Sequence, residues 1–109
     1  MDPVVRKAQN YLTAAEKSPF REWVTSRHVD GEIRGRINAR IRRIEELGNY
    51  GDCEPVGDGV FELKLDTGPG YRVYFGIDEG EIILLLGGIK KTQDADIAKA
   101  KEYWSDYNA

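Results

Sequence analysis

Residues 60–91 constrain the fold more than any other part of the chain, because they contain three strand-like runs separated by two turns. In the first run, residues 61–66, apolar and charged side chains alternate, as they do in a strand with one buried face. The second run alternates in the same way around Arg72. The third, residues 82–86, is apolar throughout, which is typical of a strand covered on both faces. Glycine-containing turns separate the runs, so this segment is predicted to form a three-stranded antiparallel meander.

The meander would bring basic side chains together on one face. If Leu63 and Val73 point into the core, the residues next to them point to the opposite face, on strands about 4.8 Å apart. The basic residues predicted to lie on or near that face are Lys64, Arg72, Lys90 and Lys91. Two interpretations remain open: these charges keep an exposed sheet face hydrated, or they form a groove that binds phosphate.

Composition limits the remaining possibilities. The 109 residues, 40% hydrophobic and 32% charged, indicate one soluble domain over residues 1–109. The chain has neither an apolar run long enough to span a membrane nor an apolar signal sequence, so a cytoplasmic location without membrane contact is expected. Cys53 is the only cysteine and His28 the only histidine. No internal disulfide, cysteine-based zinc site or multi-histidine metal site is therefore expected, and His28 is predicted to be a surface residue.

Two helices are predicted before the meander. Ser18 followed by Pro19 is a typical helix start, with serine as the N-cap and proline at the first helical position. Trp23 in this helix is expected to pack in the core or between helices rather than to stack on a base. Residues 32–47 carry the clearest helical pattern, and Gly48 is expected to end the helix.

The second helix combines an apolar stripe with a group of arginines. The stripe consists of Ile33, Ile37, Ile41, Ile44 and Leu47. The arginines are Arg34, Arg36, Arg40, Arg42 and Arg43. They can solubilise the helix and pair with nearby glutamates, or they can bind phosphates or carboxylates through the guanidinium fork. The pattern does not decide between these two roles, and the net charge of −3 is unusual for a protein that binds nucleic acid.

The other segments complete an α+β domain. Residues 4–11 are a candidate first strand, and residues 49–59 have the composition of a loop. A last helix is expected from residue 92 or 94 to about residue 106. The predicted order is an N-terminal strand, two helices, the meander and a C-terminal helix, with the helices packed on one face of the sheet.

This order of elements resembles the RelE/ParE superfamily of toxins from bacterial type II toxin–antitoxin modules. The resemblance is carried by ELGNYGDCEPVGDGVFELKLDTGPGYRVYF and LLLGGIKKTQDADIAKAKEYW. Within the superfamily, the chain is most similar to the phage-derived Gp49-like, HigB-related addiction-module killer proteins. The resemblance implies a toxin neutralised by a cognate antitoxin, which would be a helix-turn-helix protein and the only link to operator DNA. RelE-like members are metal-independent, ribosome-dependent mRNA endoribonucleases that inhibit translation, whereas ParE-like members inhibit DNA gyrase.

The resemblance also implies site residues. Those on positions that match the family's catalytic arginine and lysines are Arg72, Lys64, Lys90 and Lys91. Glu62 stands where the family has a further lysine, and the C-terminal tyrosine or histidine of RelE relatives has only Tyr103 or Tyr74 as a counterpart. Arg72 would stabilise charge on the phosphoryl group. Lys64, if neighbouring cations lower its pKa, or Glu62 would be the base.

Three functions remain open. The first is ribosome-dependent mRNA cleavage, with Lys90 or Lys91 holding the scissile phosphate and Tyr74 or Tyr103 as the general acid. The second is gyrase inhibition, and the third is antitoxin binding without catalysis. The second helix would contact ribosomal RNA or antitoxin carboxylates through Arg34, Arg36, Arg40 and Arg43. No cofactor or metal is implied.

Overall fold

The computed structural model describes residues 7–109, which form an α+β domain with one five-stranded sheet. The strands are β1 (Ala8–Asn10), β2 (Cys53–Gly57), β3 (Val60–Leu65), β4 (Tyr71–Asp78) and β5 (Glu81–Ile89). The helices are α1 (Pro19–Val24), α2 (Gly31–Leu47) and α3 (Gln93–Tyr107), with a short 3-10 turn at Lys90–Thr92 before α3. The sheet order is β1-β5-β4-β3-β2, and only β1 runs parallel to its neighbour. The first part of the candidate strand 4–11 lies outside the described residues.

The helices cover both faces of the sheet, so the prediction that they share one face is wrong. On one face, α1 and α2 pack against the sheet in a core that includes Phe20, Val24, Ile33, Ile37, Val73 and Phe75. On the opposite face, α3 packs through Ala100 over Tyr74, Ile83 and Leu85. The reason is that β4 and β5 carry apolar side chains on both faces, and each face must be covered. No helix in residues 7–109 has the length and hydropathy to cross a membrane.

The segment predicted as a loop contains the edge strand β2. It pairs with β3 from Cys53 opposite Leu63, and its register shifts between Pro55 and Gly57. The strand was not predicted because the segment contains proline and glycine, and both are depleted in strands in general. An edge strand tolerates them, since it pairs on one side only and a bulge absorbs the extra residue.

The predicted start of α1 and the predicted end of α2 are confirmed, whereas the apolar stripe of α2 is shorter than predicted. Ser18 caps α1 and Asp30 caps α2, each accepting a backbone hydrogen bond, and Gly48 ends α2 in a left-handed conformation (φ 64°). Leu47, predicted to continue the apolar stripe, is 74% exposed. The buried stripe ends one turn earlier, at Ile44, and the helix itself ends directly after Leu47.

Two glycines allow tryptophans to lie directly on the sheet. A β-carbon at Gly87 would lie 2.0 Å from Cε3 of Trp23, and one at Gly76 would lie 2.4 Å from Cζ3 of Trp104. Each indole therefore lies closer to the sheet than it could if the glycine beneath it carried a side chain. Trp23 remains partly exposed, and its packing role agrees with the sequence prediction.

Candidate functional site

A row of residues across β3, β4 and β5 forms the floor of an open cleft. Lys64 lies opposite Arg72, and Arg72 lies opposite Gly88, so all three face the same side of the sheet. This is the face that α3 covers, but α3 leaves the end near these residues open. The cleft has a volume of about 610 Å³, and we call it the basic cleft. The side chains that line it include Glu54, Lys64, Asp66, Arg72, Lys90 and Gln93.

Arg72 lies at the bottom of the basic cleft and is only 4% exposed. Its Nη1 donates hydrogen bonds to Oδ1 of Asp66 and to the backbone oxygen of Tyr71, each at 3.0 Å. Its Nε lies 3.9 Å from Oε1 of Glu62, which makes an ion pair rather than a hydrogen bond. The guanidinium is therefore held between one buried and one exposed carboxylate, with its direction fixed.

Glu62 and Tyr74 share this face but lie beneath the cleft lining. Both are fully buried. Gln93, from the first turn of α3, donates a hydrogen bond of 2.7 Å to Oε2 of Glu62. Burial, and then the negative charge of Glu62, raise the pKa of Tyr74 well above its ordinary value. The sequence placed both residues on the correct face, but it did not show that α3 would bury them.

Lys64 does not have the lowered pKa that it would need to act as the base. Its ammonium pairs with the carboxylate of Glu54 from the edge strand. The hydrogen bond to Glu54 is the largest cause of a raised pKa at Lys64, and the charges of neighbouring carboxylates act in the same direction. Lys64 is therefore a protonated cation at neutral pH, so the condition on which its role as a base depended is not met.

Two of the remaining predicted residues lie outside the basic cleft. Lys90 lines it, whereas Lys91 is exposed on the 3-10 turn and does not belong to its lining. Tyr103 packs against Tyr11 on the far part of α3, with ring centroids 5.1 Å apart. The structure thus brings together Arg72, Lys64 and Lys90, and it does not bring Tyr103 to them.

Three polar residues of the basic cleft, Glu54, Asp66 and Gln93, were not predicted from the sequence. Asp66 continues the same alternation as Lys64, so the strand period could have placed it there. Glu54 lies in the segment that was predicted to be a loop, so its side-chain direction could not be predicted. Gln93 reaches the cleft only because α3 packs on this face of the sheet. Within residues 7–109, no group of three or more histidine, cysteine, aspartate or glutamate side chains is arranged to hold a metal ion.

The arginines of α2 divide into structural and exposed members. Arg34 donates hydrogen bonds to the backbone oxygens of Val24 and Val29. Arg40 bonds in the same way to the backbone oxygen of Lys64 at 2.8 Å, which ties α2 to β3. Arg36, paired with Glu32, and Arg43 are exposed.

A second cleft lies along α2, next to the basic cleft. It has a volume of about 330 Å³, and its lining includes Arg36, Arg40, Arg43, Asp66 and Thr67. Asp66 lines both clefts. The exposed Arg36 and Arg43 of α2 thus lie in a cleft that shares Asp66 with the cleft of Arg72.

Comparison with known proteins places the chain in a family. The family model described as "Phage derived protein Gp49-like (DUF891)" matches residues 27–104, a range that includes both clefts. The chain belongs to the Gp49-like family. This family is associated with toxin–antitoxin modules. A protein of Haemophilus influenzae described as "Uncharacterized protein" is 47% identical over 83 residues, which cover 75% of this chain and 82% of that protein. No solved structure matches the chain.

Proposed function

We propose that this Gp49-like protein is the toxin of a type II toxin–antitoxin module and cleaves ribosome-bound mRNA without a metal, on a RelE/ParE-like fold. Its partners would be a cognate helix-turn-helix antitoxin and, through that antitoxin alone, operator DNA. The family's association with toxin–antitoxin modules supports the toxin role. The basic cleft supports the RNA-cleaving role.

The observation that carries the proposal is the convergence of Arg72, Lys64 and Lys90 on one open cleft. The guanidinium is nearly buried and fixed by two carboxylates, so little reorganisation is needed when negative charge develops in front of it. Asp66 and Glu54, which pair with Arg72 and Lys64, are 65% and 55% exposed at their side chains. An incoming phosphate can therefore replace these carboxylates as the anionic partner of the cleft cations.

The cleft contains groups for each proton transfer of the reaction. The ribose 2′-oxygen would attack phosphorus, and its proton would pass to an exposed carboxylate, Asp66 or Glu54. The bond from phosphorus to the 5′-oxygen would break, and that oxygen would take a proton from the ammonium of Lys64 or Lys90. The products are a 2′,3′-cyclic phosphate and a free 5′-hydroxyl. Arg72 would stabilise the charge on the phosphoryl oxygens throughout.

The pairing of the cleft cations with carboxylates favours a second candidate. With Asp66 and Glu54 in place, the positive charges of Arg72 and Lys64 are already balanced. A toxin that uses this surface to bind a protein, as in gyrase inhibition, would need no free cation and no proton transfer. Antitoxin binding without toxicity would be consistent with the same pairing.

Induction of the protein in a bacterial host tests these candidates. We expect growth arrest by the wild type, loss of arrest by Arg72→Ala, and retained arrest by Arg42→Ala, which removes an exposed arginine that lines neither cleft. Equal expression and equal far-UV circular dichroism must be shown for the three proteins. Primer extension on messages from arrested cells should show discrete cuts that depend on translation. Arrest with intact messages and broken DNA would favour gyrase inhibition, and full arrest by Arg72→Ala would remove Arg72 from the mechanism.

A further inference from the structure

A further pocket, distinct from the cleft along α2, adjoins the basic cleft at the open edge of β5, and we call it the edge pocket. Its volume is about 320 Å³, and the residues that line it include Trp23, His28, Pro69, Gly88, Thr92 and Asp96. Pro69 lines both the basic cleft and the edge pocket. The 3-10 turn separates them, with Lys90 on the side of the cleft and Thr92 on the side of the pocket. A ligand held by Arg72 and Lys90 can therefore extend past Pro69 into the edge pocket.

The edge pocket combines ring surfaces with polar groups. One part of its wall is the indole of Trp23, which lies on Gly87 and stays partly exposed, and His28 adds an exposed imidazole. Rings of this kind contact the bases in proteins that bind single-stranded nucleic acids. The pocket is thus suited to a flat heterocycle.

The sheet edge inside the pocket is open. β1 pairs with β5 only from Ile82 to Leu84, so no strand in the described part of the chain pairs beyond that point. The amide of Lys90 donates to the backbone oxygen of Gly70 on β4. Backbone groups alternate in direction along an antiparallel strand, so the N–H and C=O of Gly87 point to the open edge. Trp23 covers Gly87 on the face of the sheet that α1 packs on, and Asp96 covers Gly88 on the face that α3 packs on. A heterocycle that contacts both side chains therefore lies across this open edge, where the backbone groups of Gly87 can bind it.

Asp96 contributes a carboxylate to the edge pocket. A β-carbon at Gly88 would lie 2.0 Å from Oδ2 of Asp96, so this carboxylate takes the space that a side chain would fill. Thr92 holds it in place with a hydrogen bond of 2.6 Å to Oδ2. Gly88 lies directly opposite Arg72 on the neighbouring strand, so this carboxylate and the guanidinium are on the same face of the sheet.

We propose that the edge pocket binds the base of a nucleotide whose phosphate lies in the basic cleft, and that Asp96 makes it select guanine; this rests on the proposed function. A carboxylate only accepts hydrogen bonds. Guanine presents two adjacent donors on its Watson–Crick edge, the N1–H and the 2-amino group, and both can bind one carboxylate. Adenine and cytosine present one donor beside an acceptor, and uracil presents one donor between two acceptors. The protein would therefore cut messages next to guanine.

Binding to the isolated protein tests the pocket without any cleavage. Calorimetric titration with GMP, AMP, CMP and UMP should show GMP binding at least tenfold more tightly than UMP. Asp96→Asn should abolish this preference, whereas Asp94→Asn should keep it, because Asp94 lies on the same helical turn but outside the pocket. Trp23→Phe should weaken all four nucleotides several-fold without changing their order. Equal affinities for the four nucleotides, or a guanine preference that survives in Asp96→Asn, would overturn the proposal.

Mapping of cut sites in arrested cells separates failure of the pocket from failure of the proposed function. The wild type and Asp94→Asn should give cuts enriched next to guanine, and Asp96→Asn should arrest growth with that enrichment lost. Identical base profiles for Asp96→Asn and the wild type would exclude the edge pocket while RNA cleavage stands. If the wild type cuts no message, the nuclease function fails, and the titration alone decides whether the pocket binds guanine. Should Asp96→Asn not fold, His28→Ala, at an exposed position, replaces it and should weaken nucleotide binding.

Discussion

Replacement of the buried Glu62 by glutamine should destabilise the protein strongly. The substitution keeps the shape of the side chain and an acceptor for Gln93, but it removes the negative charge 3.9 Å from the Arg72 guanidinium. Removing one partner of a buried ion pair typically costs about 3–5 kcal/mol, because the other charge is left in a poorly solvated place. Arg72 keeps its bond to the largely exposed Asp66, so we expect the lower end, about 3 kcal/mol.

Urea unfolding followed by tryptophan fluorescence measures this effect. With an m-value of about 1.5 kcal/mol/M, a loss of about 3 kcal/mol lowers the unfolding midpoint by about 2 M. The matched control is Glu32→Gln, the same substitution in the exposed pair with Arg36, which should cost less than about 1 kcal/mol. Equal midpoint shifts in the two variants would refute the reasoning, because the burial of Glu62 would then have no energetic consequence.

Two further predictions concern the packing of Trp23 and the ionisation of a buried tyrosine. Gly87→Ala places a β-carbon 2.0 Å from Trp23 and should lower the free energy of unfolding by about 1–3 kcal/mol. The control Gly35→Ala, with open space around it on α2, should raise the free energy of unfolding by up to about 1 kcal/mol. Equal thermal midpoints for the two variants would contradict the close approach of Trp23 to Gly87. Burial and a hydrogen bond to Asp106 raise the pKa of Tyr11 to about 12. The unfolded chain therefore loses this proton first, so stability should fall as the pH rises from about 10 through 12, and Tyr11→Phe should show a smaller fall in urea unfolding over that range.

Much of the fold follows from local patterns in the sequence. Alternation along residues 61–66 and around Arg72 was enough to put Lys64 and Arg72 on one face, since successive side chains of a strand point to opposite faces. The caps at Ser18 and Gly48 were equally readable, because they satisfy backbone groups within a few residues. The edge strand β2 was not, because its proline and glycine are tolerated only through pairing with β3.

The sequence by itself determined which side chains share a face of the sheet, and only the tertiary structure decided what covers that face. Strand period is a local property, so it identified Glu62, Lys64 and Arg72 as neighbours. Burial depends on contacts between distant segments: α3 places Gln93 on Glu62, 31 residues away, and Glu54 of the edge strand raises the pKa of Lys64. These long-range contacts bury the carboxylate of Glu62 beneath the cleft and keep Lys64, which lines the cleft, protonated. No local pattern encodes either result.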